Sequence, residues 1–391
     1  MSDISMRPFH LFFDLSAHGL GQLAQLAPIL EALVARLPSA IFTLRSALPE
    51  AKIRARVRVP FAYLAGASDF GFVMHDALRI DFSATACAYR AQHQNWARRV
   101  ADEAEFLARL KPDLVVSCVA YLPLAGAAQA KIPSFALGSL NWADLFAHFF
   151  GGQTWAKPIE LEMHRAYAEA EAFLRLTPGM AMPHFSHLRT IAPVAALGQN
   201  RCAELISKTA SGVDTKFILL AFGGFDKALL SENWPLLPGV HWLFADTSIA
   251  PRADMSNIRT GCDGFSFTDL LSSADAVLTK PGYGTFTEAA CNGTAVLYLR
   301  RDNWPEQECL IDWLNEHARS QEVSEKILRS GDWSTSLDVL WKTPRPPIPK
   351  PSGAQEAAAI FADYLNDAAE KKVAALQSEI KKATLKSGLS L

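Results

Sequence analysis

Three stretches of this sequence carry residues whose types and spacing suit chemistry on a phosphorylated ligand. The first is Lys280-Pro281-Gly282-Tyr283-Gly284, one cation and two glycines between the apolar run Asp275-Ala276-Val277-Leu278-Thr279 and a stretch of helical spacing. A buried strand, a tight turn and a helix start, with Gly284 or Thr285 as the cap, aim unpaired backbone N–H groups at one point. The helix dipole is positive there, so the point attracts phosphate. Lys280 adds a full charge. Glu288 stands one turn into the helix, where a carboxylate can reach past a phosphate to a ribose diol. An ordinary strand-turn-helix connection would show the same pattern, since short glycine motifs are common.

The second stretch is Ser16-Ala17-His18-Gly19-Leu20-Gly21, a loop after the apolar run Phe9 to Phe13. An imidazole titrates near pH ~6.5 and can take a proton at neutral pH, so His18 is a candidate general base held open by its glycines. The plainer reading is a polar loop residue or a cap for the helix that follows. The third stretch is Phe222-Gly223-Gly224, a glycine turn after the strand-like Lys216 to Phe222.

The elements that must position these residues follow from hydrophobic periodicity. Strand-like runs at 9–13, 41–44, 112–118, 132–137, 216–222, 240–245, 275–279, 294–299 and 320–323 alternate with helical spacing. That alternation predicts two doubly wound α/β domains. The expected division is 1–195, 196–342, a proline-rich linker at 343–353, and a helix at 354–391 that returns toward the first domain with a tail that can fray. Asp81 to Leu110 reads as one long helix. Arg54, Arg56 and Arg58 alternate with period two, which predicts an edge strand with a basic face, open either to solvent or to an anionic acceptor. Ser139 to Trp155 places Trp142, Phe146, Phe149 and Phe150 at helical spacing and reads as a core helix; its Asp144 and His148 would otherwise face an acceptor, or its aromatics a membrane.

Composition narrows the class. The chain has 391 residues, half of them hydrophobic, and a net charge of −2, which argues against a nucleic-acid footprint. Its six cysteines are widely spaced and form no C-x-x-C, which suits a reducing compartment. The start of the chain shows no leader pattern, and the longest apolar segment is broken by Pro123 and Gly126, so a cytoplasmic protein without a membrane span is expected.

Taken together, S-x-H-G-x-G at Ser16 to Gly21, F-G-G at Phe222 to Gly224, and S-A-D-A-V-L-T-K-P-G-Y-G-T-F-T-E at Ser273 to Glu288 resemble the glycosyltransferases of the GT-B fold that use nucleotide sugars. The similarity is to the N-acetylglucosaminyltransferase of peptidoglycan lipid-intermediate synthesis and to the UDP-glycosyltransferase superfamily. The segment K-P-G-Y-G-T-F-T-E with L-R-R-D-N-W-P-E-Q at Leu299 to Gln307 also looks like the glycosyltransferase-like portion of plant-type arabinose kinases. The chain leaves no length for a kinase domain, so no kinase activity is expected.

The resemblance implies two Rossmann-like domains facing a cleft. It implies that Gly223, Gly224, Lys280, Gly282, Tyr283, Gly284 and Thr285 surround the diphosphate of a UDP-type donor. Glu288 would hold the ribose, Phe265 or Phe267 the base, and Asp302, Glu306 and Gln307 the sugar. The N-terminal domain would hold the acceptor, with His18 facing the cleft; Gly19 and Gly21 beside it, and Asp144 and His148 of the aromatic segment, are further candidates for the acceptor side. Lys280-Pro281 stands where the superfamily has a histidine. An inverting transfer without metal or other cofactor is implied, from nucleotide sugar to a small-molecule or lipid-linked acceptor hydroxyl. No D-x-D pair lies near the donor stretch. A nucleotide-sugar epimerase of the same fold and a non-catalytic sugar-nucleotide binder remain as alternatives.

Overall fold

The computed structural model describes residues 7–386, apart from 17, 19, 77, 223–233, 246–251 and 262. The N-terminal half holds strands β1 (His10–Leu15), β2 (Ile41–Ser46), β3 (Ala62–Ala65), β4 (Leu114–Cys118), β5 (Ser134–Gly138), β6 (Ala172–Leu176) and β7 (Leu188–Ile191). Their order in the sheet is β3-β2-β1-β4-β5-β6-β7, with every pairing parallel. Helices α1 (Gly21–Arg36), α2 (Glu50–Arg56), α3 (Phe82–His93), α4 (Trp96–Leu110), α5 (Leu122–Gln129), α6 (Trp142–Phe150) and α7 (Ala156–Ala168) connect these strands. The second half has strands β8 (Lys216–Ala221), β9 (Val240–Ala245), β10 (Met255–Ile258), β11 (Ala276–Thr279), β12 (Ala295–Tyr298) and β13 (Ser320–Glu322). They form a second parallel sheet in the order β10-β9-β8-β11-β12-β13. Its helices are α8 (Cys202–Thr209), α9 (Phe267–Ser273), α10 (Tyr283–Asn292), α11 (Glu306–His317), α12 (Glu325–Ser330) and α13 (Ser334–Lys342), and α14 (Gly353–Lys386) follows the proline-rich stretch.

Strands covered on both faces read as continuous apolar runs. Leu11, Phe12 and Phe13 of β1 and Leu114, Val115 and Val116 of β4 are fully buried for this reason. In each sheet the chain winds outward in one direction and then returns to the other side of its first strand. The switch falls between β1 and β4 in one sheet and between β8 and β11 in the other. Ligands of open α/β sheets bind beyond the carboxyl ends at such switch points. His18 follows β1 and Lys280 follows β11, so both candidate loops stand at switch points.

Local structure departs from expectation in three places. Arg54 and Arg56 lie in a helix, α2, which Arg58 follows, because Ile53 and the C-cap Val57 bury at a spacing of four and Pro49 opens the turn; period two among the arginines does not outweigh that pair. The long helix is two, broken at Gln94-Asn95 between α3 and α4. The cap of α10 is Gly282, one turn ahead of Thr285.

Helix α14 begins by docking on the N-terminal half. Gly353 N–H donates to the Pro193 carbonyl at 3.0 Å, and Glu356 accepts from Ala192 N–H at 3.1 Å. A Cβ on Gly353 would lie 1.9 Å from the Ala192 carbonyl oxygen, so only glycine permits the contact. Ala354, Ala357, Ala358, Phe361, Ala362 and Leu365 then bury at helical spacing, and Phe361 meets Phe135 of β5 edge to face at 5.2 Å between centroids. Past Leu365 the described side chains are exposed or half-exposed. Truncating a buried phenylalanine to alanine costs about 3–5 kcal/mol. Phe361→Ala should therefore lower the urea midpoint strongly, whereas ending the chain after Asp367 should change stability by less than about 0.5 kcal/mol, as exposed positions do. Circular dichroism against urea measures both, and equal midpoints would refute the docking role.

Candidate functional site

Helix α10 starts without a capping side chain and without an acidic residue in its first turn. So does α1. The two N-termini abut: a Cβ on Gly284 would come within 2.7 Å of Ala24 Cβ, and the Gly21 backbone lies 3.8 Å away. Two positive helix ends thus converge where the carboxyl ends of the two sheets meet. They open on a cleft of about 2170 Å³ lined by both halves, including His18, Gly21, Phe267, Lys280, Gly282, Tyr283, Gly284, Thr285, Glu288 and Glu306. That volume exceeds the usual ~300–1,000 Å³ of a small-ligand pocket, so two substrates have room.

Two cations share the cleft floor. Burial, and after it the charge of Arg301, lowers the Lys280 pKa to about 7. Burial lowers that of Arg301 to about 10. The Arg301 guanidinium lies 3.7 Å from the Trp304 ring centroid, and its Nε has no hydrogen-bond partner. Like charges in a desolvated site disfavour each other, and an anion between them removes the penalty.

His18 is half-buried in the cleft wall. Its ring lies parallel to Trp304 at 5.8 Å and edge-on to Trp142 at 5.2 Å. Phe72 N–H lies 3.4 Å from Nδ1. Gly71, at φ +62°, is the residue that admits the ring, since a Cβ there would stand 2.8 Å from it. Trp142 is itself fixed by donating Nε1–H to Asp69 at 2.5 Å, a carboxyl that burial and then the charge of Asp14 push up to about 7. Burial, then Arg301, then Lys280 lower the His18 pKa to about 3, so the imidazole is neutral.

Glu288 is buried and paired with Arg56 of α2, which reaches across the cleft and lies 5.9 Å above the Phe267 ring. Phe265 also lines the cleft, though it is 3% exposed and covered by Arg201 at 4.3 Å. Glu306 accepts from Ser139 Oγ at 2.6 Å and from Trp304 Nε1 at 3.1 Å, and burial raises its pKa. Gln25 Nε2 continues that line by donating to Ser139 at 3.0 Å.

Four expected site residues stand elsewhere. Gln307 does not line the cleft: its amide accepts from Arg301 N–H at 2.9 Å and donates to the Arg301 carbonyl at 3.1 Å, which fixes the loop that presents the guanidinium. Asp302 points outward, 74% exposed, 3.5 Å from Arg79. Asp144 is held in the cap of α6, where Asn141 Nδ2 donates to it at 2.8 Å. His148 is exposed and meets Asn303 at 3.1 Å, a contact at the cleft rim between the two halves. Gly19, Gly223 and Gly224 lie outside the described residues. Arg301, Trp304 and the glutamines of α1 were not singled out from sequence, and Arg56 was read only as part of a basic face. Arg301 adjoins Arg300, which is spent on surface ion pairs with Glu308 and Glu322, and nothing local distinguishes the two. Among the described residues no group of three or more His, Cys, Asp or Glu side chains is placed to hold a metal ion, and no helix is long and apolar enough to cross a membrane.

No protein-family model matches the sequence. L-arabinokinase of Arabidopsis thaliana is 24% identical over 348 residues, which is 86% of this chain and 32% of that protein, so the chain spans about a third of its relative's length. Among solved structures, Staphylococcus aureus MnaA held with UDP is similar at TM-score 0.57 and 11% identity, over 92% of this chain and 97% of that one. A UDP-glucosyltransferase from Polygonum tinctorium capable of glucosylating indoxyl gives TM-score 0.56 and 13% identity, over 93% and 99%. Arabidopsis thaliana UGT89C1 complexed with UDP gives 0.54 and 14%, over 91% and 99%. These likenesses show the fold: the chain is a two-domain α/β protein of the GT-B architecture.

Proposed function

We propose that this GT-B protein transfers a sugar from a UDP-type nucleotide sugar to an acceptor hydroxyl, with inversion and without metal. The observation that carries the reading is the buried pair Lys280 and Arg301 beside two uncapped helix N-termini. Such a site is complementary to a diphosphate and to the charge that grows on it as the glycosidic bond breaks, an electrostatic role that preorganised donors fill best. The bound UDP of two structural neighbours is in keeping with it. Glu288 then accepts hydrogen bonds from the ribose hydroxyls, with Arg56 displaced, and Phe267 faces the base. Glu306 contacts the transferred sugar.

His18 is the base that takes the acceptor's proton. Its second and third causes of pKa depression are the cations that the diphosphate offsets. Donor binding therefore raises the basicity of His18, and the base gains strength only when a sugar is in place to be attacked.

Calorimetry with UDP from pH 7.5 to 8.5 tests the donor site, because there the terminal phosphate is mostly ionised and the uracil N3–H mostly keeps its proton. Lys280 is charged below about 7 in the empty site. A bound anion raises its pKa, so binding takes up a proton at higher pH, and affinity should fall by up to about tenfold per pH unit until the bound-state pKa is reached. Mass spectrometry with UDP-sugars and an acceptor panel then reads transfer. Interconversion of the free nucleotide sugar with uptake of solvent deuterium would identify an epimerase, and tight UDP binding without turnover a binding protein. Absence of UDP binding would overturn the assignment.

A further inference from the structure

The cleft sorts its chemistry into two neighbouring patches. One is cationic, the Lys280 and Arg301 floor. The other presents hydrogen-bond acceptors whose capacity is unused. Gln22 and Gln25, three residues apart on the cleft face of α1, are 6% and 2% exposed, and the Oε1 atom of each has no hydrogen-bond partner. Gln25 adjoins Ser139, and Ser139 adjoins Glu306, whose carboxylate oxygens each accept a single hydrogen bond. A buried carbonyl oxygen left unpaired is costly, so a ligand that donates to it gains more than it would in water.

We propose that Gln22, Gln25, Ser139 and Glu306 form a subsite for the transferred group, and that this group is an uncharged, polyhydroxylated sugar. The inference rests on the donor reading above and names its sugar class. What the two unpaired glutamine oxygens lack is a proton donor. A phosphate offers none at neutral pH, whereas a sugar ring offers several hydroxyls at the spacing of adjacent side chains. The buried Glu306 carboxylate excludes a second carboxylate, so a uronic acid does not fit. Reading is shared across the cleft: α1 brings two carbonyls from the N-terminal half, and α11 brings the carboxylate from the other. A correct sugar thereby draws the two halves together over the bond to be broken.

The test compares UDP with UDP-glucose, UDP-galactose, UDP-xylose, UDP-N-acetylglucosamine and UDP-glucuronic acid, by calorimetry on the full chain. At least one neutral UDP-sugar should bind more tightly than UDP-glucuronic acid. Gln22→Leu and Gln25→Leu should each lower the affinity ratio of that sugar nucleotide to UDP by roughly three- to tenfold, the worth of one hydrogen bond. The ratio separates sugar reading from general damage, which would weaken both ligands alike. Should Gln25→Leu fail to fold for want of its bond to Ser139, Gln22→Leu carries the test, since it removes an oxygen that bonds to no protein atom. An unchanged ratio in Gln22→Leu would mean that water satisfies that oxygen, and would overturn the subsite while leaving UDP binding intact. UDP-glucuronic acid binding as tightly as the best neutral donor would overturn the sugar class. Failure of UDP itself to bind would overturn both this inference and the donor reading.

Discussion

A His18→Ala protein should transfer sugar roughly 10²–10⁴-fold more slowly than wild type, the range that a positioned general base supplies, while UDP affinity changes little. The asymmetry follows from where the ring stands. It lies between Trp142 and Trp304 in the cleft wall, whereas Lys280 and Arg301 are on the floor. Removing it takes away the proton acceptor and none of the phosphate's partners. The low pKa of the empty site adds a second signature. With a value of about 3, His18 is already deprotonated in the free protein across the whole neutral range. kcat/KM, which reports groups of the free enzyme, should therefore show no loss from His18 protonation between pH 5 and 7. Loss in kcat, which reports the loaded enzyme, should appear at a higher pH than 3, because a bound diphosphate would offset Arg301 and Lys280. Single-turnover rates across pH measure this. Transfer by His18→Ala at near the wild-type rate would remove His18 from the mechanism.

Lys280→Met and Arg301→Gln should each weaken UDP binding by about 10- to 150-fold, since hydrogen bonds to charged groups are worth about 1.5–3 kcal/mol. The same substitutions should leave the empty protein as stable as wild type or more so. The sign follows from the direction of the shift. Lys280 has a folded-state pKa of about 7 against an ordinary value of 10.5. The unfolded chain therefore holds the proton more tightly between those limits, and burying the lysine opposes folding at pH 8. Methionine has no proton to lose. Thermal melts at pH 8, with and without UDP, give both numbers. A Lys280→Met protein that melted lower than wild type yet bound UDP unchanged would place Lys280 in the framework and not in the site.

How far such a site is legible in sequence depends on whether its parts are local. The turn from Thr279 to Gly282 and the helix after it could be read because strand, turn and helix start are consecutive, and each has its own signature. The buried runs of β1, β4 and β8 were legible because both faces of a parallel strand are apolar. Pairings across the cleft were not. Arg56 and Glu288 meet only after two sheets have formed and faced one another, and no pattern in either segment announces the other. Asp302 and Gln307 show a subtler limit. Asp302 directly follows Arg301 and Gln307 directly follows Glu306, in the same short run. Only the loop's path, fixed by the Gln307 amide on the Arg301 backbone, decides which side chains face inward. Likewise Ile53 and Val57 decided α2 against the louder alternation of the arginines beside them.

The docking of α14 bears on the order in which the molecule is made. The ribosome delivers β1 to β7 first, yet Phe361, which packs on β5 and helps close that half's core, is synthesised only after every strand of the second sheet. The half that emerges first therefore lacks the cover of α14, which packs on α1, until its partner has been made, and an apolar face exposed in such an interval favours aggregation. The core of the half made first is thus closed by the segment made last among the described elements.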